Sequence, residues 1–224
     1  MDAQSGERGP FPLLRRVFAG LCFALMAAVY ARGLPDTLRS LLSAHAGLTD
    51  WAPALTRVCT LVVFTILGWL MLTRPPFQAR RRGIIPVATA FLGTYAVWIL
   101  PFFPLARSSW ALQTLSAVLA LGGSLMIIIT VLRLGGSFSI APQARRLVTD
   151  GPYGLVRHPL YLAEEIAIVG VLLQYAWYAA VLFLVVHLAL QMRRILYEEA
   201  LLSAVFPDYE AYARRTARLI PGFW

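Results

Sequence analysis

Apolar runs separated by short arginine-bearing segments set the pattern of the chain, with blocks over 13–34, 51–73, 84–104 and 110–132. Each approaches the roughly 20 residues that a helix rising about 1.5 Å per residue needs to cross about 30 Å of hydrocarbon. Four transmembrane helices are predicted. A fifth apolar stretch, 159–192, is too long for one ordinary span and carries Gln174-Tyr175-Ala176-Trp177-Tyr178 at its middle. Amphipathic rings settle at membrane interfaces, so this stretch predicts a tight helical hairpin turning at those residues. The loop 133–158 and the segment from 193 onward are too polar for lipid and too short for a separate domain. The fold class expected is therefore all-α and polytopic. Residues 1–132 supply four transmembrane helices; 133–224 supply the loop 133–158, the hairpin 159–192 and cytoplasmic tail helices 193–224, in one integrated membrane domain.

Composition excludes a water-soluble fold. The 224 residues are 59% hydrophobic and 14% charged, with a mean hydropathy of +0.68, where soluble domains carry roughly 25% charged residues. The net charge of +9 comes from arginine alone. Arg15/Arg16, Arg74 with Arg80-Arg81-Arg82, Arg133 with Arg145/Arg146 and Arg157, and Arg193/Arg194 fall on alternate connections, while 32–50, 105–109 and 175–178 carry far fewer. Basic loops stay in the cytoplasm, and an even number of crossings then puts both termini inside. Arginines distributed in this way match membrane orientation and argue against a nucleic-acid partner. Cys22 and Cys59 lie inside apolar runs and three scattered histidines form no cluster, so neither a disulfide framework nor a metal site is expected. Arg15-Arg16 before Val17 to Tyr30 also has the form of a signal peptide, but Val29-Tyr30-Ala31 is a poor cleavage site and more apolar blocks follow; an uncleaved first helix is expected.

Punctuation refines the polar segments. Gly135-Gly136 and Asp150-Gly151-Pro152 are turn signals, and Pro159 suits a first helical position, where its missing N–H is not needed. The tail reads as a helix over about 190–205, a break at Phe206-Pro207-Asp208, and a shorter helix to about 217 with Asp208 as N-cap. Ile220-Pro221 ends it.

Several residues carry candidate chemistry, each with a bland alternative. Arg157-His158-Pro159 serves either as an interfacial anchor or as a donor set for an anion at a helix N-terminus. Glu164 and Glu165 complement the helix dipole, yet two acids entering an apolar helix are expensive and usually face a protein interior or wet cavity. Arg194 and Glu198 stand four apart and are expected to pair on one helix face; Glu199 lies beside them. Tyr209 and Tyr212 are more often packing residues than ligands.

Taken in order, Leu147-Val148-Thr149-Asp150-Gly151-Pro152-Tyr153, Val156-Arg157-His158-Pro159-Leu160-Tyr161, Arg194 with Glu198-Glu199, Phe206-Pro207-Asp208-Tyr209 with Tyr212, and Arg218-Leu219-Ile220-Pro221 resemble the isoprenylcysteine carboxyl methyltransferase and phospholipid methyltransferase superfamily. The likeness covers roughly 133–221. It implies a bacterial-type membrane methyltransferase of the inner membrane that uses S-adenosylmethionine and releases S-adenosylhomocysteine. Arg145, Leu147, Val148, Gly151, Tyr153, Arg157, His158, Pro159 and Tyr161 would line the cofactor pocket. Arg157 and His158 would hold its carboxylate, and Glu165 or Glu198 would accept from its amino group and ribose hydroxyls. Arg194 and Glu199 match the arginine and glutamate that the family places near the reacting groups: Arg194 would orient a carboxylate acceptor, and Glu199 would either orient an amine or thiol or act as its base. The acceptor implied is a lipophilic small molecule, such as a prenylcysteine-like carboxylate, a thiol or a lipid amine, among membrane lipids. The chain departs from the carboxyl methyltransferases at Arg145, Glu164-Glu165 and Pro207, which bears on the acceptor and not on the fold. Two other functions remain open from sequence: an NADPH-dependent reductase of sterol-reductase-like architecture, which shares an Arg-His-Pro-x-Tyr segment, and a non-catalytic membrane scaffold or transport protein.

Overall fold

A computed structural model describes residues 3–5, 12–42, 48–81, 83–106 and 109–222. Arg82 and parts of the connections 32–50 and 105–109 lie outside the described residues. Among the described residues, four helices are long and apolar enough to cross a membrane: α1 (Pro12–Arg32), α3 (Leu48–Thr73), α5 (Trp110–Leu134) and α8 (Trp177–Val205). Their outward faces carry exposed Phe18, Leu25, Trp69, Val118, Ile129, Leu182 and Val185, an apolar surface that suits lipid. This is the multi-pass helical membrane fold expected.

The expected span 84–104 is not a single α-helix. It is α4 (Ile84–Tyr95) continued by a 3-10 helix, Ala96–Phe102. Pro101 has no N–H to give to an α ladder, and the tighter winding still yields a rod of about 32 Å at about 1.5 and 2.0 Å per residue. The connection 32–50 also differs from expectation by carrying a short helix, α2 (Leu34–Leu41). Arg57, on α3, secures it: Nη1 donates to the Gly33 carbonyl at 2.6 Å and to the Thr37 hydroxyl.

The stretch 159–192 does form a hairpin, but its second arm does not stop at the membrane. The first arm is α7 (Pro159–Leu172). The turn is Leu173–Ala176, and α8 then runs unbroken to Val205, absorbing the separate helix expected over 190–205. Its 29 residues reach about 43 Å at about 1.5 Å per residue, longer than the roughly 30 Å of a hydrocarbon core. At the turn end, Ala106 N–H donates to the Gln174 carbonyl and Ala176 N–H to the Pro104 carbonyl, both at 2.9 Å, joining the two neighbouring connections.

α5 and α7 pack closest, through small residues. A Cβ added at Gly123 would lie 2.4 Å from Ala167 N, and one at Gly170 would lie 2.5 Å from Ala120 N, both backbone atoms. Ser116 Oγ donates to the Gly170 carbonyl at 2.7 Å, so the approach also places an interhelical hydrogen bond where lipid offers none. Replacing Gly123 by leucine is expected to cost at least about 3 kcal/mol of stability. Gly122, the adjacent position, meets nothing within 4 Å, so Gly122→Leu is the control. Thermal unfolding in detergent should separate the two variants, and equal midpoints would refute this packing.

At the opposite end, β1 (Ala3–Ser5), β2 (Ala79–Arg81) and β3 (Gln143–Ala144) form a small antiparallel sheet in that order. Ser5 faces Ala79, and Ala79 faces Ala144 across it. The sheet draws the α3–α4 connection and the segment after α5 together, and Arg81 lies over the Tyr197 ring of α8 at 4.7 Å. The arginine-bearing segments thus gather at one end of the bundle. The main core, with Phe23, Leu67, Met71, Val131 and Leu160, receives Phe138 and Ile140 from the loop after α5.

Candidate functional site

The loop between α5 and α7 is built on two glycines with positive φ, Gly135 (55°) ending α5 and Gly151 (59°) starting α6 (Pro152–Leu155). An L-residue with a side chain adopts this region poorly. Between them the chain turns inward, burying Phe138, Ile140 and Val148. Arg145 fastens it: Nε donates to the Pro75 carbonyl at 2.8 Å and Nη2 to Gln143 Oε1 at 2.7 Å. Arg133 pairs with Asp150 across the loop. His158 then ends the loop, with Pro159 as the first residue of α7.

The tail folds back over this loop. After the break at Phe206–Asp208, α9 (Tyr209–Arg215) leads into a strand-like segment. Arg157 N–H donates to the Ala217 carbonyl at 2.8 Å and His158 N–H to the Arg218 carbonyl at 3.1 Å. Tyr212 donates its hydroxyl to the Tyr153 carbonyl at 2.6 Å. Burial pushes the Tyr212 phenol up to about 12 and raises Tyr153 and Tyr209 as well, so all three remain hydrogen-bond donors at neutral pH. Asp208 precedes α9 as expected but makes no side-chain cap; its carbonyl accepts from Tyr212 N–H instead.

Glu199 is the electrostatic centre of the site. It receives Arg157 Nη1 at 2.9 Å, His158 Nε2 at 3.2 Å and Arg218 Nη2 at 2.8 Å. A carboxylate holding three donors on both oxygens anchors the segments that carry them. His158, 4% exposed, stacks on Tyr161 with ring centroids 5.5 Å apart. Tyr161 donates its hydroxyl to Glu198 Oε2 at 2.8 Å.

Arg194 does not form the surface pair with Glu198 that helical spacing suggests. It is 4% exposed, and its Nη1 donates to Gln191 Oε1 at 2.6 Å and lies 3.5 Å from Glu164 Oε2 on α7. Its guanidinium lies over the Tyr161 ring at 4.6 Å. Gly93 on α4 makes room for it, since an added Cβ would come within 2.9 Å of Arg194 Cδ. The inward course follows from the cost of leaving a cation against lipid: a planar guanidinium with a carboxylate, an amide and a ring face is the better-solvated arrangement.

Two cavities meet at this arginine. The first, at the arginine-rich end, is walled by Ser137 to Gln143, Arg145 to Val148, Tyr153, Arg157, His158, Leu160, Tyr161, Arg194, Glu198, Leu202, Tyr209 and Tyr212, with Ala90 and Leu134. The second lies within the bundle among Phe23, Val63, Leu67, Ile127, Val131, Phe138, Leu160 and other apolar side chains, with Thr94, Tyr95, Glu164, His187 and Arg194 as its polar members. Phe138, Leu160 and Arg194 border both. Of the residues singled out from sequence, Arg145, Leu147, Val148, Tyr153, Arg157, His158, Tyr161, Arg194 and Glu198 stand in the first wall. Gly151, Pro159 and Glu199 shape it from behind. Glu165 does not stand in the first wall; its Oε1 lies 2.8 Å from His187 Nδ1 inside the bundle.

Sequence reasoning missed His187, Gln191 and the contribution of Ser137–Gln143. His187, Gln191 and Arg194 recur at i, i+4 and i+7, one polar stripe along an otherwise apolar helix, and this periodicity was a usable signal.

The fold and site define a multi-pass membrane protein whose polar cavity, at its arginine-rich end, adjoins an apolar one in the bundle. Residues 108–209 match the family model for phospholipid methyltransferase. Over that segment the chain is similar to the isoprenylcysteine carboxyl methyltransferase-like family of membrane methyltransferases. It is 37% identical over 119 residues to the nickel-cobalt-cadmium resistance protein NccN of Alcaligenes xylosoxydans xylosoxydans, covering 51% of this chain and 55% of that protein. It is 34% identical over 115 residues to the cobalt-zinc-cadmium resistance protein CzcN of Cupriavidus metallidurans, covering 50% and 52% respectively. The chain thus spans about half the length of the curated relatives it matches.

Proposed function

We propose that this membrane methyltransferase takes its methyl group from S-adenosylmethionine and passes it to a lipophilic acceptor that enters from the bilayer. The observation that carries the reading is the shared border of the two cavities at Phe138, Leu160 and Arg194. A water-soluble donor and a membrane-borne acceptor can be brought to reacting distance only where a polar and an apolar chamber adjoin. The resistance named for the two relatives does not identify the acceptor.

The residues of the polar cavity suit the cofactor. Arg157 Nε is buried with no hydrogen-bond partner, which leaves a donor for an amino-acid carboxylate. Glu198 supplies an acceptor for an amino or hydroxyl group, and Leu147, Val148, Tyr153 and Leu202 supply apolar wall for a flat base. When bound, the cofactor contributes an electrophilic methyl group on a sulfonium. The arginine-rich end faces the cytoplasm of a bacterial inner membrane in this reading, which gives the cavity direct access to soluble cofactor.

Calorimetry on the full chain in lipid nanodiscs tests it. S-adenosylhomocysteine is expected to bind saturably with a micromolar Kd, on the order of −8 kcal/mol. Failure to bind would overturn the proposal, and binding of NADPH in its place would support a reductase.

A further inference from the structure

The helices of the bundle pack in a row: α1 against α3, α3 against α5, α5 against α7, α7 against α8, and α8 against α4. Each lends a side chain to the inner cavity, in that order Phe23, Val63, Val131, Ala167, His187 and Thr94. The row therefore curls around the cavity, and α1 and α4 are its two ends. Among the described residues no packing of comparable extent joins those ends. Close packing is what keeps lipid tails from entering between helices, so the wall of the cavity is weakest along this seam. Neither α1 nor α4 lies within residues 108–209, so the family match does not bear on it.

One side chain closes the seam. Tyr95, the last residue of α4, lines the cavity and packs against the core that holds Phe23 of α1 and Leu67 of α3. Its ring also lies 5.7 Å from that of Phe91, which is 44% exposed on the outer face of α4. Tyr95 thus spans the wall from cavity to lipid. The backbone changes winding at the same point, since Tyr95 has φ −105° and ψ −2° and Ala96 begins the 3-10 helix. A change of winding inside a rod is a natural point of flexure. Just before it, α4 is held on its α8 side, where His187 Nε2–H donates to the Gly93 carbonyl at 3.0 Å. Between the tie and the hinge, the Thr94 hydroxyl lines the cavity, buried and without a partner among the described residues. It offers a hydrogen bond to the polar head of an entering molecule, and a seam one side chain wide passes one hydrocarbon chain at a time.

We propose that the α1–α4 seam is the entrance by which a single-chain amphiphile passes from the bilayer into the inner cavity, and that Tyr95 sets how far it opens. That the entering molecule is the methyl acceptor rests on the methyl-transfer reading above. Its head meets Thr94, whose neighbour Gly93 abuts the Arg194 side chain at the border of the two cavities, and its chain trails through the seam toward lipid.

The test places the full chain in phosphatidylcholine nanodiscs, adds hexadecanol carrying a diazirine midway along its chain, irradiates within seconds and locates the labelled residues by mass spectrometry. Phe23 and Val131, 1% and 2% exposed, should be labelled together with lipid-facing Phe18 and Leu25, whereas Ile195, 0% exposed and outside both cavities, should not. Tyr95→Ala is expected to raise the labelling of Phe23 and Val131 by at least about fivefold, and Tyr95→Trp to lower it by a similar factor, with Phe18 as the internal reference. Leu92→Trp, on the exposed face of the same helix, should alter neither. Unlabelled Phe23 and Val131 in the wild type, or labelling that ignores both Tyr95 variants, would overturn the inference. S-adenosylhomocysteine binding is measured on the same preparations; its loss in the wild type alone would overturn the methyl-transfer reading and not the entrance.

Discussion

Glu199→Ala is expected to weaken S-adenosylhomocysteine binding by at least about a hundredfold and to lower the thermal unfolding midpoint, although Glu199 stands behind the cavity wall. Its carboxylate holds Arg157, His158 and Arg218 from three segments of the chain. Removing it leaves two largely buried guanidinium groups and an imidazole N–H without their acceptor. Breaking a buried pair by deleting one partner costs about 3–5 kcal/mol, and here the loss also frees the tail from the loop. Glu199→Gln keeps the shape and one acceptor oxygen, so it should fall between wild type and alanine. Titration calorimetry and a melting curve on the same preparations check both effects; unchanged binding in the alanine variant would show that the cavity does not depend on this anchor.

Arg194→Ala is expected to separate binding from transfer. The side chain borders both cavities, so its loss should reduce methyl transfer at least about a thousandfold, since small misplacements of reacting groups already cost about a hundredfold. Cofactor binding should change by less than about tenfold, because Arg157, His158 and the tyrosines of the outer cavity remain. The alanine also strands Glu164 and Gln191 and removes a cation from the Tyr161 face, worth up to about 2 kcal/mol when desolvated. Arg194→Lys should restore little, since an ammonium lacks the planar fork that serves Gln191 and Glu164 together. Single-turnover rates alongside calorimetry distinguish this from simple unfolding, and a rate within tenfold of wild type would remove Arg194 from the reacting centre.

The membrane architecture was legible because each crossing has to be apolar along its whole length, a signal that survives without any knowledge of neighbours. The span over 84–104 shows the limit of that signal, for hydropathy registers a buried rod and not whether it winds as α or 3-10 helix. The site was legible in its residues and not in their partners. Arg194 and Glu198 satisfy the spacing for a surface pair, yet Arg194 turns to Glu164, thirty residues earlier, because a neighbouring helix offers a dry pocket and Gly93 clears the path. Glu199 likewise draws its donors from 157, 158 and 218. The three short strands left no trace, since two or three residues are too few to display an alternation and their pairing joins segments some sixty residues or more apart.

The return of the tail onto the loop ties the order of synthesis to the order of completion. The helices that wall both cavities are made first, whereas the Ala217 and Arg218 carbonyls that fix Arg157 and His158, and the Arg218 guanidinium that completes the set around Glu199, emerge from the ribosome afterwards. A chain cut after Arg215 would carry every wall residue of the outer cavity and still lack its latch. Forms that end before Ala217 therefore hold the cavity walls without the contacts that fix Arg157 and His158.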